Sequence, residues 1–153
     1  MVLCPGVRAI LSICLFVSVL PAQQDRVIAR IDARDSVVVR GSVPPQAQPK
    51  YDQGAAEPGF RLGNITLMLR PSAAQQAALE QLLAEQQDPA SPNYHNWLTP
   101  ESYAERFGAS AADLDKIAAW LRSQGFAVRY TARGRDFISF TGTASQVQAA
   151  LHT

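Results

Sequence analysis

The chain has 153 residues, 47% of them hydrophobic and 18% charged, with 14 basic against 13 acidic side chains. This composition suits one globular domain with an appendage and excludes a disordered polymer. Charge is almost balanced and no Lys/Arg cluster is interleaved with aromatics, so a nucleic-acid partner has no electrostatic footprint.

The first segment reads as a targeting signal. Arg8 and the amino terminus make a positive start, Ala9 to Leu20 is an almost unbroken apolar run, and Pro21-Ala22 ends it before Gln23-Gln24-Asp25. That is the layout of a secretory signal peptide over residues 1–22, too short for a membrane-spanning helix, with cleavage expected after Ala22. It predicts a secreted, extracytoplasmic protein with no membrane attachment once the leader is removed. Cys4 and Cys14, the only cysteines, lie inside it. A mature chain would therefore lack disulfides, thiolate chemistry and Cys-based metal sites. Leu11-Ser12-Ile13-Cys14 superficially suggests lipidation, but the bulky Ile13 beside the cysteine argues against it. Loss of Arg8 with the leader brings the basic count level with the 13 acidic residues.

Residues 23–63 read as an extended arm and linker. Residues 27–31 and 36–40 are β-branched enough for short strands or extended arms, while Arg26, Arg30, Arg34 and Arg40 alternate with Asp25, Asp32 and Asp35 as a self-compensating surface. From Gly41 to Gly59, four prolines and further glycines replace any apolar periodicity, which predicts an extended path along another surface.

A packed domain is expected over residues 64–153. Ile65, Leu67 and Leu69 alternate with Thr66, Met68 and Arg70, the period-two signature of a strand. Asn64-Ile65-Thr66 also fits the glycosylation pattern, too common by chance to carry a function. Capping-box spacing marks three helix starts, at Ser72 with Gln75, Ser110 with Asp113 and Thr143 with Gln146. Their predicted buried faces are Leu79, Leu82 and Leu83; Leu114, Ile117, Ala118 and Leu121, ending at Gly125; and Val147, Ala150 and Leu151. Between the second and third lies a hairpin, with Phe126, Val128 and Tyr130 on one arm, Ile138 and Phe140 on the other, and a turn at 132–135 containing Gly134.

Residues 93–107, NYHNWLTPESYAERF, crowd two Tyr, a Trp, a Phe and one of the 2 histidines into one stretch. Thr99 can cap a helix, Pro100 suits its first position and Glu101 faces the positive end of its dipole. The turn-forming Asp88-Pro89-Ala90-Ser91-Pro92 precedes it. An aromatic loop is thus held ahead of a capped helix, either pinned to a core or presented as a recognition surface. Core anchoring is expected for Trp97, Tyr103 and Phe107.

Motifs for catalysis are missing from the sequence. It has no Gly-x-Ser-x-Gly, no His-Glu-x-x-His and no phosphate-binding glycine loop. Gly142-Thr143-Ala144-Ser145 resembles a protease nucleophile motif, but capping accounts for Thr143, and Ser145 has no evident base. His95 and His152 are too far apart in sequence, and too bare of carboxylates, to suggest a metal pair. Asp113 with Asp115 and Glu101 with Glu105 fit capping or solvated roles better than acid/base work.

The run from Glu85 to Pro100, with its YHNWLTP string, resembles the propeptides of sedolisins, the kumamolisin-like serine-carboxyl peptidases. Phe107-Gly108, Trp120-Leu121 followed by Gly125-Phe126, and Phe140-Thr141-Gly142-Thr143 stand in the order that family shows, over about residues 49–153. The resemblance implies an α+β, ferredoxin-like (split βαβ) plait. Its last strand would follow Leu151, so the plait is expected to lack it. It also implies a pro-domain that acts as intramolecular chaperone and inhibitor of a secreted endopeptidase and is released by autocleavage in acid. The partner implied is the cognate sedolisin catalytic domain. The Glu, Asp and Ser catalytic residues and the calcium site belong to that domain, so this chain is expected to be no enzyme and to hold no cofactor. Interface candidates are Tyr94, His95, Trp97, Leu98, Thr99, Pro100 and Phe107. The competing expectation is a freestanding exported binding or inhibitor module with no enzyme attached.

Overall fold

The computed structural model describes residues 25–32, 37–38, 40–41 and 43–152. The leader read at 1–22 lies outside them.

Among the described residues a 3-10 turn at Pro49–Tyr51 is followed by three strands and four helices: β1 (Arg61–Met68), α1 (Ala73–Glu85), α2 (Pro100–Phe107), α3 (Ala111–Ser123), β2 (Ala127–Thr131), β3 (Phe137–Thr143) and α4 (Ala144–Leu151). The strands form one antiparallel sheet in the order β1-β3-β2, so β3 is central and β1 and β2 are its edges. This α+β arrangement is a ferredoxin-like plait with one strand fewer. Residues 27–31, expected as strand or arm, form no strand and bend at Ala29.

The side chains facing the helices make the core. Leu121 and Ile138 have no exposed surface, and Phe126, Phe140, Leu114, Ile117 and Ala150 are buried with them. Phe126 meets Phe140 edge to face at 5.0 Å between centroids. The amphipathic stripe of α3 is buried at all four predicted positions, Leu114, Ile117, Ala118 and Leu121. Gly125 takes the expected left-handed conformation after it, at φ 85°.

Two of the three predicted capping boxes close fully. Ser72 and Gln75 exchange both bonds at α1, as do Thr143 and Gln146 at α4. At α3 the Ser110 hydroxyl accepts from the Asp113 amide at 3.0 Å, but the Asp113 carboxylate does not return the bond. It is engaged elsewhere, by the N-terminal arm.

Several predicted faces are corrected by local irregularities. A register shift between Val128 and Tyr130 breaks the alternation, so Tyr130 pairs with Ser139 and is exposed instead of sharing the core with Phe126. A second shift, between Leu62 and Ile65, lets β1 begin at Arg61, ahead of the alternation that starts at Ile65. Leu83 on α1 and Leu151 on α4 are exposed, because α1 buries only Leu82 and α4 only Ala150. The hairpin turn falls where expected, at 132–135, with Arg135 at φ 54°.

Candidate functional site

The aromatic loop is built on the end of α1. Gln86, 3% exposed, continues that helix and holds the loop twice. Its carbonyl accepts the His95 amide at 3.1 Å, and its side-chain amide donates to the Asn96 carbonyl. Beside it the Glu85 carboxylate accepts from Asn93 Nδ2 at 2.7 Å and from Gln81 Nε2 at 2.8 Å. These two bonds, Gln81 first, hold the Glu85 carboxyl below its ordinary range, with a smaller contribution from the Arg106 charge. The turn residues supply the rest. Asp88 accepts the Ala90 amide at 2.9 Å and the Ser91 hydroxyl accepts the Asn93 amide at 3.1 Å.

On this scaffold three rings stack outward. Tyr94 and His95 lie 3.8 Å apart between centroids, and His95 and Trp97 lie 5.6 Å apart, with interplanar angles of 22° and 24°. His95 reaches its place only by adopting φ 55°, a left-handed conformation that costs an L-residue roughly 1–2 kcal/mol. The Trp97 amide donates back to the His95 carbonyl at 3.1 Å, tightening the turn.

Trp97 corrects the expectation of core anchoring. It is 59% exposed, and Tyr94 is 40% exposed. The anchoring that the sequence suggested is supplied by Phe107, buried, and Tyr103, half-buried, whose rings meet at 5.6 Å. Leu98 is half-buried where the loop enters α2. Thr99 caps that helix by accepting the Ser102 amide at 3.1 Å, and Pro100 takes its first turn. The structure therefore brings Tyr94, His95 and Trp97 together as one exposed stack, while Leu98, Thr99, Pro100 and Phe107 belong to the entry and body of α2 and are not part of it. Gln86 and Glu85 are site residues that sequence reasoning missed; a polar helix end in a Gln-rich run carries no signal of its buried role.

Across α2 the hairpin completes this side of the molecule. Glu101 is bonded to Arg133 at 2.7 Å, which holds its carboxyl below the ordinary range. A groove of about 550 Å³ runs between Pro100 and Tyr103 on one side and Tyr130, Asp136 and Phe137 on the other. The sheet face opposite the buried Ile138 and Phe140 side chains continues from it. Met68, 65% exposed, sits opposite Phe137 in the β1–β3 register, and Phe137 meets Tyr130 edge to face at 5.8 Å.

Thr143 and Ser145, weighed as a nucleophile motif, sit at a helix start. Thr143 caps α4, and the Ser145 hydroxyl lies 3.0 Å from Thr143 Oγ1 on the first turn. Among the described residues no three His, Cys, Asp or Glu side chains converge as a metal site. No helix of the described residues is long and apolar enough to cross a membrane.

Comparison with known proteins matches residues 50–153 to the model of the pro-kumamolisin activation domain. Among curated proteins the chain is similar to xanthomonalisin of Xanthomonas sp. (strain T-22), 34% identical over 76 residues. That alignment covers 50% of this chain and 9% of the relative, so the chain spans only a small part of the protein it matches.

Proposed function

The chain belongs to the pro-kumamolisin activation domain family, and from that premise we propose that it is the pro-domain of a secreted sedolisin-type serine endopeptidase. In this reading it chaperones the folding of the catalytic domain, inhibits it, and leaves by autocleavage in acid. The observation that carries the reading is the family match over residues 50–153, which takes in the plait and the aromatic loop alike. The side of the sheet carrying exposed Met68 and Tyr130, with half-buried Phe137 between them, is in this reading the surface offered to the enzyme. The Tyr94-His95-Trp97 stack is a second contact, held in place before the partner arrives.

Carboxylates that pair with groups of the enzyme would have their pKa values depressed in the complex. Their contribution to binding is then fully present above the free pKa and is lost as pH falls through the bound value. The expected result of mixing the purified chain with a mature sedolisin is inhibition near neutral pH that weakens in acid. Absence of inhibition at every pH would refute the reading.

A further inference from the structure

The N-terminal arm is docked by a carboxylate that sequence reasoning assigned to a helix cap. Asp113, 2% exposed on α3, accepts two consecutive main-chain amides of the arm. Arg26 N–H donates to Oδ2 at 2.8 Å and Val27 N–H to Oδ1 at 2.9 Å. The Ser110 hydroxyl donates to Asp25 Oδ1 at 2.6 Å, and Lys116 Nζ donates to the Val27 carbonyl at 2.6 Å. The Arg26 guanidinium reaches the Arg70 carbonyl beyond β1. Val27 and Ile31 turn inward against the core cluster while Ile28 points to solvent. Along the arm runs a groove of about 460 Å³ whose far wall includes Lys116, Trp120 and Gln124.

The connection to this docked arm contrasts with the arm itself. Every residue from 43 to 60 is exposed, and the 3-10 turn at Pro49–Tyr51 buries nothing. Main-chain bonds hold only the linker's far end to α4, where Ala144 donates to the Phe60 carbonyl and Ser145 to the Pro58 carbonyl. The arm is thus held by these hydrogen bonds and by two apolar side chains, Val27 and Ile31, at the end of an exposed linker.

We propose that residues 25–31 are a latch seated on α3 by Asp113, and that proteolytic cleavage of the exposed 43–57 linker releases it. A tether of this kind supplies an effective concentration of roughly millimolar, and a cut removes that advantage without breaking any contact. Opening the latch uncovers Ile117 and Trp120 and leaves the buried Asp113 carboxylate without its two donors. An exposed carboxylate takes water in place of those donors, so release weakens the domain without denaturing its sheet. As regulation of an inhibitor, the latch rests on the reading given under Proposed function; as a structural device it does not.

The chain lends itself to a direct test, because its two lysines are Lys50, exposed in the linker, and Lys116, engaged on α3. A lysine-specific endoprotease under native conditions should cut at Lys50 alone. Hydrogen exchange in the intact chain should show Arg26 and Val27 amides protected, and Asp113→Asn should speed them by roughly tenfold or more while β3 amides stay protected. After the cut, gel filtration at roughly micromolar concentration should separate the N-terminal fragment from residues 51–153, with β3 protection retained. Three results would overturn the latch: unprotected amides in the intact chain, co-elution of the two fragments, or collapse of β3 protection on cutting. Inhibition of a mature sedolisin is measured separately on intact and cut chains. If the intact chain inhibits nothing, the pro-domain reading fails while the exchange and elution results still decide the latch.

Discussion

Gly108 sets the corner between α2 and α3, and replacing it with alanine is the sharpest perturbation the fold allows. Its backbone is ordinary, with φ −70° and ψ 173°, so conformational freedom is not the reason for glycine here. Space is. A Cβ at this position would lie 2.6 Å from the Gly134 carbonyl oxygen, 2.8 Å from the Ala104 oxygen and 2.8 Å from Arg135 Cβ. Two of those three neighbours are backbone, and neither can rotate away. The hairpin turn would have to retreat from the corner, and the bond from the Ala109 amide to the Arg135 carbonyl, 2.9 Å long, would stretch with it.

Overpacking of this kind costs about 1–3 kcal/mol, and the strained hydrogen bond adds about 1 kcal/mol. Reduced freedom of the unfolded chain offsets about 0.4–1 kcal/mol of that. Gly108→Ala should therefore destabilise by about 1–3 kcal/mol, a fall in Tm of roughly 5–20 °C for a domain of this size. Gly63→Ala is the matched control, since nothing lies within 4 Å of its added Cβ, and it should be neutral or slightly stabilising. Urea unfolding of the two variants beside the parent, at equal m, measures both differences. If Gly108→Ala unfolds with or after the parent, the close approach of corner and hairpin is wrong.

Leu121→Ala, at a site with no exposed surface, should cost about 2–5 kcal/mol in urea unfolding and more than Leu83→Ala on the exposed side of α1. Gln86→Ala should remove the near-UV circular dichroism of the Tyr94-His95-Trp97 stack while core amides keep their exchange protection, because it frees the Asn96 carbonyl from its buried donor. Glu101 has a lowered pKa through Arg133, so its contribution to stability is present above the ordinary glutamate value and lost as pH falls through the folded value. The stabilities of parent and Glu101→Gln, followed by urea midpoint, should differ slightly at neutral pH and converge in strong acid. Trp97→Ala should leave stability within about 0.5 kcal/mol, as expected of an exposed side chain, yet weaken inhibition of a mature sedolisin. A large loss of stability would instead restore the core-anchoring role.

Most of the fold is legible in the sequence because its local signals agree with one another. The α3 stripe, the cap residues at Ser72, Ser110, Thr99 and Thr143, and the alternation of Ile65, Leu67 and Leu69 each follow from short-range geometry, and each appears in the structure. What escaped depends on the third dimension. Alternation at Phe126, Val128 and Tyr130 is undone by a bulge, and a bulge is set by the partner strand. Asp113 reads as a cap residue because Ser110 precedes it at the right spacing, and that half of the box does form. Its carboxylate is drawn off by amides 86 and 87 positions away, a contact that no local window contains.

The aromatic loop shows why exposure and rigidity together point to recognition. A loop that merely anchored a core would bury its largest ring, yet here Phe107 is buried and Trp97 is left in water. A loop that merely connected two helices would relax, yet His95 is kept at positive φ by its bond to the carbonyl of buried Gln86. Ordering Tyr94, His95 and Trp97 in advance lowers the entropy that a partner would otherwise have to overcome, by about 0.5–1.5 kcal/mol for each large side chain already fixed. The local strain at His95, roughly 1–2 kcal/mol, is of the same order as that gain summed over three rings, about 1.5–4.5 kcal/mol. A stack held in order but left in solvent is the arrangement that the proposed contact with a catalytic domain calls for.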